Sequence, residues 1–216
     1  MTTGGDLSGR RLYLCTPDRP DLADFLAACI EGGVDVVQLR DKDLDARPLI
    51  ARARVAAEVC RAHGVPFVLN DRPDLALEVG ADGVHVGQDD APVSLARRIL
   101  GPGAIVGLST HSESDLAAAA DEDVSYISAG PVEATPTKPG REGTGVGYVS
   151  LASARSSVPV FVTGGVTPER IPALTAAGVR HFVVVRFLTR AADARRAARA
   201  LRDAIDSALS SDPSAG

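Results

Sequence analysis

The chain has 216 residues, 45% of them hydrophobic and 24% charged, with a formal net charge of −5. That length and apolar content can bury one full core, and no composition break divides it. The net negative charge excludes a general nucleic-acid surface, which needs a basic stripe to displace counterions from phosphates, and no apolar run approaches the ~18 residues needed to cross a bilayer.

Residues 1–10 and 210–216 are rich in Gly, Ser, Thr and Asp. They carry too little apolar surface to offset ordering entropy, so both ends are expected to be disordered. The start of the chain has no hydrophobic signal core. Cys15, Cys29 and Cys60 are odd in number and lack CxxC spacing. That argues against a disulfide framework or a zinc site and fits a reducing cytoplasm.

Between the two ends, short apolar and β-branched runs alternate with Ala- and Leu-rich stretches. A strand over Arg11–Cys15 precedes a helix over Leu22–Ile30; a strand over Val34–Leu39 precedes a helix over Ala46–His63. Strands follow at Pro66–Leu69, Gly83–Val86, Ala104–Leu108, Val124–Ser128, Val158–Val162 and His181–Val185, with helices over Val93–Leu100, Glu113–Ala120 and Ala191–Leu209 among the intervening segments. The strand runs are too short for helices, and the longer stretches have amphipathic helical spacing. Roughly eight strand–helix units in a little over ~200 residues predict a single-domain (β/α)8 TIM barrel over residues 11–209. A doubly wound sheet is the rival, but the first strand leads into Thr16-Pro17-Asp18 and not a GxGxxG turn. The Gly- and Pro-rich stretch Gly130–Gly147 reads as a long, mobile loop after the sixth strand.

A barrel opens the C-terminal ends of all its strands onto one face. Five polar clusters sit at those ends. After the second strand, Gln38, Arg40 and Lys42 alternate along the chain, so all three can project to one side. Arg grips phosphate bidentately and Lys adds a point charge; the plainer alternative is a surface ion pair with Asp41 or Asp43. After the third and fourth strands, Asn70, Asp71 and Asp90 offer hard oxygen ligands suited to Mg²⁺. Those acids also suit a turn before Arg72-Pro73 and a helix cap before Ala91-Pro92.

Thr135, Thr137 and Lys138 put two hydroxyls and an ammonium on the Pro-fixed loop, chemistry suited to holding phosphate oxygens and neutralising leaving-group charge. Lys42 and Lys138 are the only lysines in the chain, and both fall in these clusters. Thr163-Gly164-Gly165 follows the seventh strand, where a barrel's phosphate cup lies, and Thr167-Pro168 reads as the start of the next helix. A tight turn would also use those glycines. His85, within the fourth strand, is either a mouth residue facing a heteroaromatic ring or a satisfied core histidine. Ser109 after the fifth strand is a candidate hydroxyl contact; His63, His111 and His181 have weaker claims. No nucleophile elbow or Ser/His/Asp set is present.

Two anion-binding regions around one metal site suit a transfer in which a departing diphosphate is stabilised beside a second, phosphorylated substrate. The ordered set of motifs resembles the thiamine-phosphate synthase family over nearly the whole chain. They are Gln-x-Arg-x-Lys (38–42), Asn70-Asp71, Asp-Gly-Val-His-Val-Gly-Gln-x-Asp (82–90), Gly-Pro-x-x-x-Thr-x-Thr-Lys (130–138) and Thr-Gly-Gly-Val (163–166). Any one of them is weak, but the five in order are specific.

The resemblance implies a transferase that joins 4-amino-5-hydroxymethyl-2-methylpyrimidine diphosphate to 4-methyl-5-(2-hydroxyethyl)thiazole phosphate, giving thiamine phosphate and diphosphate. It places Mg²⁺ on Asp71 and Asp90, and diphosphate on Arg40, Lys42, Asn70 and Lys138. Gln38 and His85 fall near the pyrimidine, Ser109 beside the reacting groups, and Thr135, Thr137 and Gly165 toward the thiazole phosphate. The implied mechanism is dissociative and needs no protein nucleophile. The expected partners are these small molecules, with neither nucleic acid nor membrane, and a homo-oligomer stays open. One departure stands out: where family members can carry a small Ser after the last strand, this chain has Val185-Arg186-Phe187. Arg186 either clamps the phosphate or pairs with Asp193. Rival readings are a thiazole tautomerase, a non-catalytic barrel that binds a phosphorylated metabolite, and a sugar-phosphate or amino-acid-pathway isomerase.

Overall fold

A computed structural model describes residues 6–134 and 143–211 of the chain. In chain order the elements are β1 (Leu12–Thr16), α1 (Leu22–Glu31), β2 (Val36–Leu39), α2 (Ala46–His63), β3 (Phe67–Asn70), α3 (Pro73–Val79), β4 (Gly83–Val86) and α4 (Val93–Leu100). There follow β5 (Ile105–Thr110), α5 (Glu113–Ala119), β6 (Tyr126–Ala129), α6 (Gly145–Arg155), β7 (Val160–Val162), α7 (Ile171–Ala176), β8 (His181–Val184), α8 (Arg186–Thr189) and α9 (Ala194–Ser210). The strands close into one parallel barrel in sequence order, β8 pairing with β1. This is the (β/α)8 barrel that the alternation predicted.

Local chemistry sets the punctuation. Asp45 precedes α2 in extended backbone, and the helix stops at Gly64, whose φ of 66° is left-handed and costs a side chain-free residue little. Ser112 and Asp193 accept hydrogen bonds from the amides of Asp115 and Arg196 and so cap α5 and α9. Each helix then turns one apolar stripe onto the barrel; in α1 it is Leu22, Phe25, Leu26 and Cys29, all buried.

The packing has two layers. Residues on the outer face of the strands meet the helices in one large apolar cluster. Inside the barrel lies a second cluster that includes Tyr13, Cys15, Val36, Val68, Ile105, Tyr126, Phe161 and Val183. The strand register explains its membership: Tyr13 pairs with Val36, Cys15 with Gln38, Gln38 with Val68, Asn70 with His85, and Ser128 with Phe161. Successive inward positions are two residues apart, so inward apolar residues low on a strand give way to inward polar ones at its C-terminal end.

At the opposite end, side chains just before even-numbered strands tie down their odd-numbered neighbours. Asp35 accepts from the amides of Arg11 and Leu12, Asp82 from Phe67, and Ser125 Oγ from Val106. Open strand starts are thereby satisfied.

Four expectations need correction. Residues 1–10 are not wholly frayed: Leu7 is 1% exposed and joins the inner cluster. The loop read over Gly130–Gly147 ends sooner, because α6 starts at Gly145. Its flanks are held by the Val132 amide on the Thr163 carbonyl at 2.8 Å and the Thr144 amide on the Pro131 carbonyl at 2.8 Å. Thr167-Pro168 does not start a helix; the Thr167 carbonyl accepts from Arg170 and Ile171, and α7 begins one turn later. The last strand ends at Val184, and the short α8 separates it from α9.

Candidate active site

The C-terminal strand ends surround a cavity of about 560 Å³. Its residues arrive from nearly every strand, as the barrel requires. Gln38 and Asn70 are 5% and 8% exposed, and Gln38 Nε2 donates to Asn70 Oδ1 at 3.0 Å. Gln38 therefore has the polar partner that its place inside a strand demanded. Arg40 and Lys42, just beyond, line the same cavity. Lys42 does not pair with Asp41 or Asp43; its Nζ lies 2.8 Å from Asp71 Oδ2.

Asp71 is the one non-glycine residue with positive φ, 61°, among the described residues. Its amide donates to the His85 carbonyl at 2.8 Å, which holds the turn in place. Such strained positions persist where the surroundings over-determine them. Burial is the main force raising the Asp71 carboxyl above its ordinary value; the nearby Asp90 carboxyl raises it further, and Lys42 opposes both. Asp90 is not a helix cap: Pro92 occupies that position, while Asp90 Oδ2 accepts from the Gly87 amide at 2.9 Å. Two carboxylates held close together at cost, with a lysine across them, fit a divalent cation that takes its other ligands from substrate oxygens and water. Among the described residues no group of three or more His, Cys, Asp or Glu surrounds a point. An all-protein metal cage is therefore absent there, and the pair suits a cation that arrives with phosphate.

Across the mouth, Gly164 and Gly165 have φ of 95° and 76°. A Cβ on Gly164 would lie 2.6 Å from Pro131 Cβ and 2.7 Å from the Val132 nitrogen, so that position requires glycine for space as well as conformation, whereas at Gly165 only the movable ends of Arg170 and Glu133 crowd a Cβ and the positive φ is the constraint. The amides of Gly164 and Gly165 donate to nothing among the described residues. Two free N–H groups on a left-handed turn form an anion-binding nest. Arg186 lines the same cavity, and its guanidinium has no partner among the described residues. The alternative pairing with Asp193 is not formed, because Asp193 caps α9. The Arg40 guanidinium is likewise without a partner among the described residues and faces the same space.

His85 and Ser109 are buried but line the cavity, with His85 Nε2 2.9 Å from Ser109 Oγ. Thr135, Thr137 and Lys138 lie outside the described residues. His181 sits at the far end of the barrel, where its Nδ1 is 2.5 Å from the Arg10 carbonyl, and His63 ends α2 against the Val59 carbonyl. Both are remote from the cavity. Sequence reasoning missed Tyr13, Cys15, Tyr126 and Ser128, which also line it. Parity would have found them: Tyr13 and Cys15, or Tyr126 and Ser128, are two apart on strands whose inward set is fixed by a neighbour.

The fold and this mouth define a (β/α)8 barrel with an acidic pair and cationic side chains gathered at the C-terminal ends of its strands. The sequence model of the family described as thiamine monophosphate synthase matches residues 12–188. A relative from Mycobacterium sp. (strain KMS), named thiamine-phosphate synthase, is 46% identical over 215 residues, covering 94% of this chain and 95% of its own. Another of that name, from Thermobifida fusca (strain YX), is 48% identical over 202 residues, with 91% and 92% covered. Among solved structures, the thiamine phosphate pyrophosphorylase from Pyrococcus furiosus superimposes with a TM-score of 0.84 at 27% identity, covering 92% of this chain and 96% of that one. The chain belongs to the thiamine monophosphate synthase family.

Proposed function

We propose that the chain joins 4-amino-5-hydroxymethyl-2-methylpyrimidine diphosphate to 4-methyl-5-(2-hydroxyethyl)thiazole phosphate, releasing thiamine phosphate and diphosphate. The observation that carries the reading is one cavity holding two guanidinia without a partner among the described residues, Arg40 and Arg186, together with the Asp71–Asp90 pair and the Gly164-Gly165 nest. A single phosphate would not use all of them.

Arg40 and Lys42 bind the diphosphate from the β2 side, and Asn70 adds an amide contact. Lys138 supplies a further cation to the same leaving group. Asp71 and Asp90 would hold Mg²⁺, which when bound supplies positive charge to the diphosphate oxygens. Gln38 and His85 orient the pyrimidine, so that the C–O bond to diphosphate breaks with its electron pair leaving on oxygen. The ring stabilises the resulting methylene cation. The thiazole phosphate is held by the Gly164-Gly165 amides, Arg186, Thr135 and Thr137, with its ring nitrogen facing that carbon; the nitrogen lone pair forms the new C–N bond. Ser109 sits beside the reacting groups. No proton transfer to a protein base is needed, consistent with a mouth built of binding groups. The small-molecule partners and the buried Cys15, Cys29 and Cys60, none of them in a disulfide, support a cytoplasmic enzyme.

The test is formation of thiamine phosphate and diphosphate from the two substrates, with and without Mg²⁺, using Lys138→Ala as a companion. Mg²⁺-dependent product, with turnover in the variant reduced by ~10² or more at unchanged thermal stability, is expected. Folded protein that makes no product overturns the reading.

A further inference from the structure

Two buried tyrosines in the cavity floor, which the proposed chemistry does not use, join His85 and Ser109 in one row of buried polar groups. Tyr13 and Tyr126, 1% and 0% exposed, face each other inside the barrel with their hydroxyls 2.8 Å apart. The Tyr126 hydroxyl is 2.9 Å from His85 Nδ1, and His85 Nε2 is 2.9 Å from Ser109 Oγ. Four side chains from β1, β6, β4 and β5 thus form one continuous chain that ends at the cavity wall.

The register shows how the sequence makes room for it. His85 pairs with Gly107, and Gly107 pairs with Tyr126, so a glycine lies between the two rings in one inward row. A Cβ on Gly107 would come within 2.2 Å of Tyr126 Cζ and 2.4 Å of its hydroxyl oxygen. The tyrosine occupies the space of the missing side chain and reaches across β5 to the histidine. The two rings then lie nearly parallel, at 26° and 5.5 Å.

The chain can run in only one direction without leaving a buried hydroxyl hydrogen unpaired. The described residues offer the Tyr13 hydroxyl no acceptor besides Tyr126. Tyr13 must therefore donate to Tyr126, since an unmet buried donor costs the desolvation of that group. Tyr126 then spends its own hydrogen on His85 Nδ1. The imidazole is left with its proton on Nε2, which it donates to Ser109 Oγ. With that lone pair occupied, the Ser109 hydroxyl hydrogen is available to the cavity. The reverse order would spend the Ser109 hydrogen on His85 and turn bare lone pairs toward an anionic ligand. Burial raises both phenols far above their ordinary range, so neither loses its proton in use.

We infer that Tyr126, backed by Tyr13, is a positioning residue that fixes His85 as its Nε2–H tautomer and thereby makes Ser109 a hydrogen-bond donor to the bound substrate. The kinetic half of this inference rests on the synthase reading; the tautomer half does not.

The test joins a spectroscopic and a kinetic readout. The chain has four histidines; with ¹⁵N-labelled histidine and His85→Gln for assignment, the ring nitrogens of His85 report the tautomer at mildly alkaline pH. Wild type is expected to show Nε2–H. Tyr126→Phe, which keeps the ring and removes the hydroxyl that donates to His85 and accepts from Tyr13, is expected to give Nδ1–H or a mixture. In turnover, Tyr126→Phe should lower kcat roughly 10–100-fold, the usual scale for removing a group that orients a site residue, with KM little changed. The double variant with Ser109→Ala should be no slower than Ser109→Ala alone, because Tyr126 acts through that hydroxyl. An Nδ1–H wild type, an unaltered tautomer in Tyr126→Phe, or effects that multiply in the double variant would each overturn the inference. If the tautomer behaves as stated but no thiamine phosphate forms, the synthase reading fails and the tautomer assignment stands.

Discussion

Asp71 carries two separable burdens, a left-handed backbone and a carboxylate beside another carboxylate. Asn tolerates that backbone and Ala does not, so Asp71→Asn should be more stable than Asp71→Ala by about 1–2 kcal/mol in denaturant unfolding. Both variants lose the charge. Each should therefore need more Mg²⁺ for half-maximal turnover than wild type, and an unchanged metal titration would remove Asp71 from the ligand set. Arg186 offers a cleaner separation of the two substrates. Its side chain lines the same cavity as Gly164 and Gly165, and its guanidinium has no partner among the described residues. Arg186→Ala should raise KM for the thiazole phosphate about tenfold or more while leaving KM for the pyrimidine diphosphate nearly unchanged. Equal effects on both would place it elsewhere in the mechanism.

Among the elements, the barrel's lower layer is the clearest case of structure without chemistry. Leu7 precedes β1, is buried in the inner cluster and does not line the cavity. Leu7→Ala leaves a cavity that rigid strands cannot close, and should cost about 2–5 kcal/mol in chemical denaturation with kcat unchanged where the protein is folded. A negligible cost would mean that the segment before β1 contributes nothing to the core. The connection between β6 and α6 is held at both of its described flanks. Pro131, Val132 and Thr144 are fixed by backbone hydrogen bonds to one another and to the end of β7. The Thr135-x-Thr137-Lys138 motif itself lies outside the described residues.

For the whole molecule, pH acts at the end opposite the cavity. Burial is the main reason His181 is lowered to about 4, with Arg11 and Arg180 adding repulsion and the Arg10 carbonyl opposing them. Asp35, close to Arg11 and Arg202, is raised by burial and is the nearby counter-charge. A histidine kept neutral in the folded state binds a proton more readily when unfolded. Its contribution is present in full above the unfolded value near ~6.5 and is lost as pH falls toward the folded value of about 4. The loss should amount to roughly 2–3 kcal/mol. His181→Gln should show a flatter stability curve than wild type across that window; parallel curves would refute the assignment.

The alternation of β-branched runs with amphipathic stretches was enough to specify an eight-fold barrel, because each unit is a local pattern and parallel connection leaves few ways to close it. The polar clusters at strand ends were legible for the same reason: the fold converts a position along a strand into a place at the mouth. Gln38, Arg40, Lys42, Asn70, Asp71, His85, Asp90, Ser109, Gly165 and Arg186 all line the cavity. What the local pattern did not contain was partnership. Lys42 pairs with Asp71 across two strands, and Asp193 caps a helix and is unavailable to Arg186. Leu7 is buried although its neighbours read as frayed. Nor could Tyr126 be linked to His85 while their sequence positions lay 41 residues apart. Those pairings depend on strand register and on the space left at Gly107, long-range quantities that exist only once the barrel has closed.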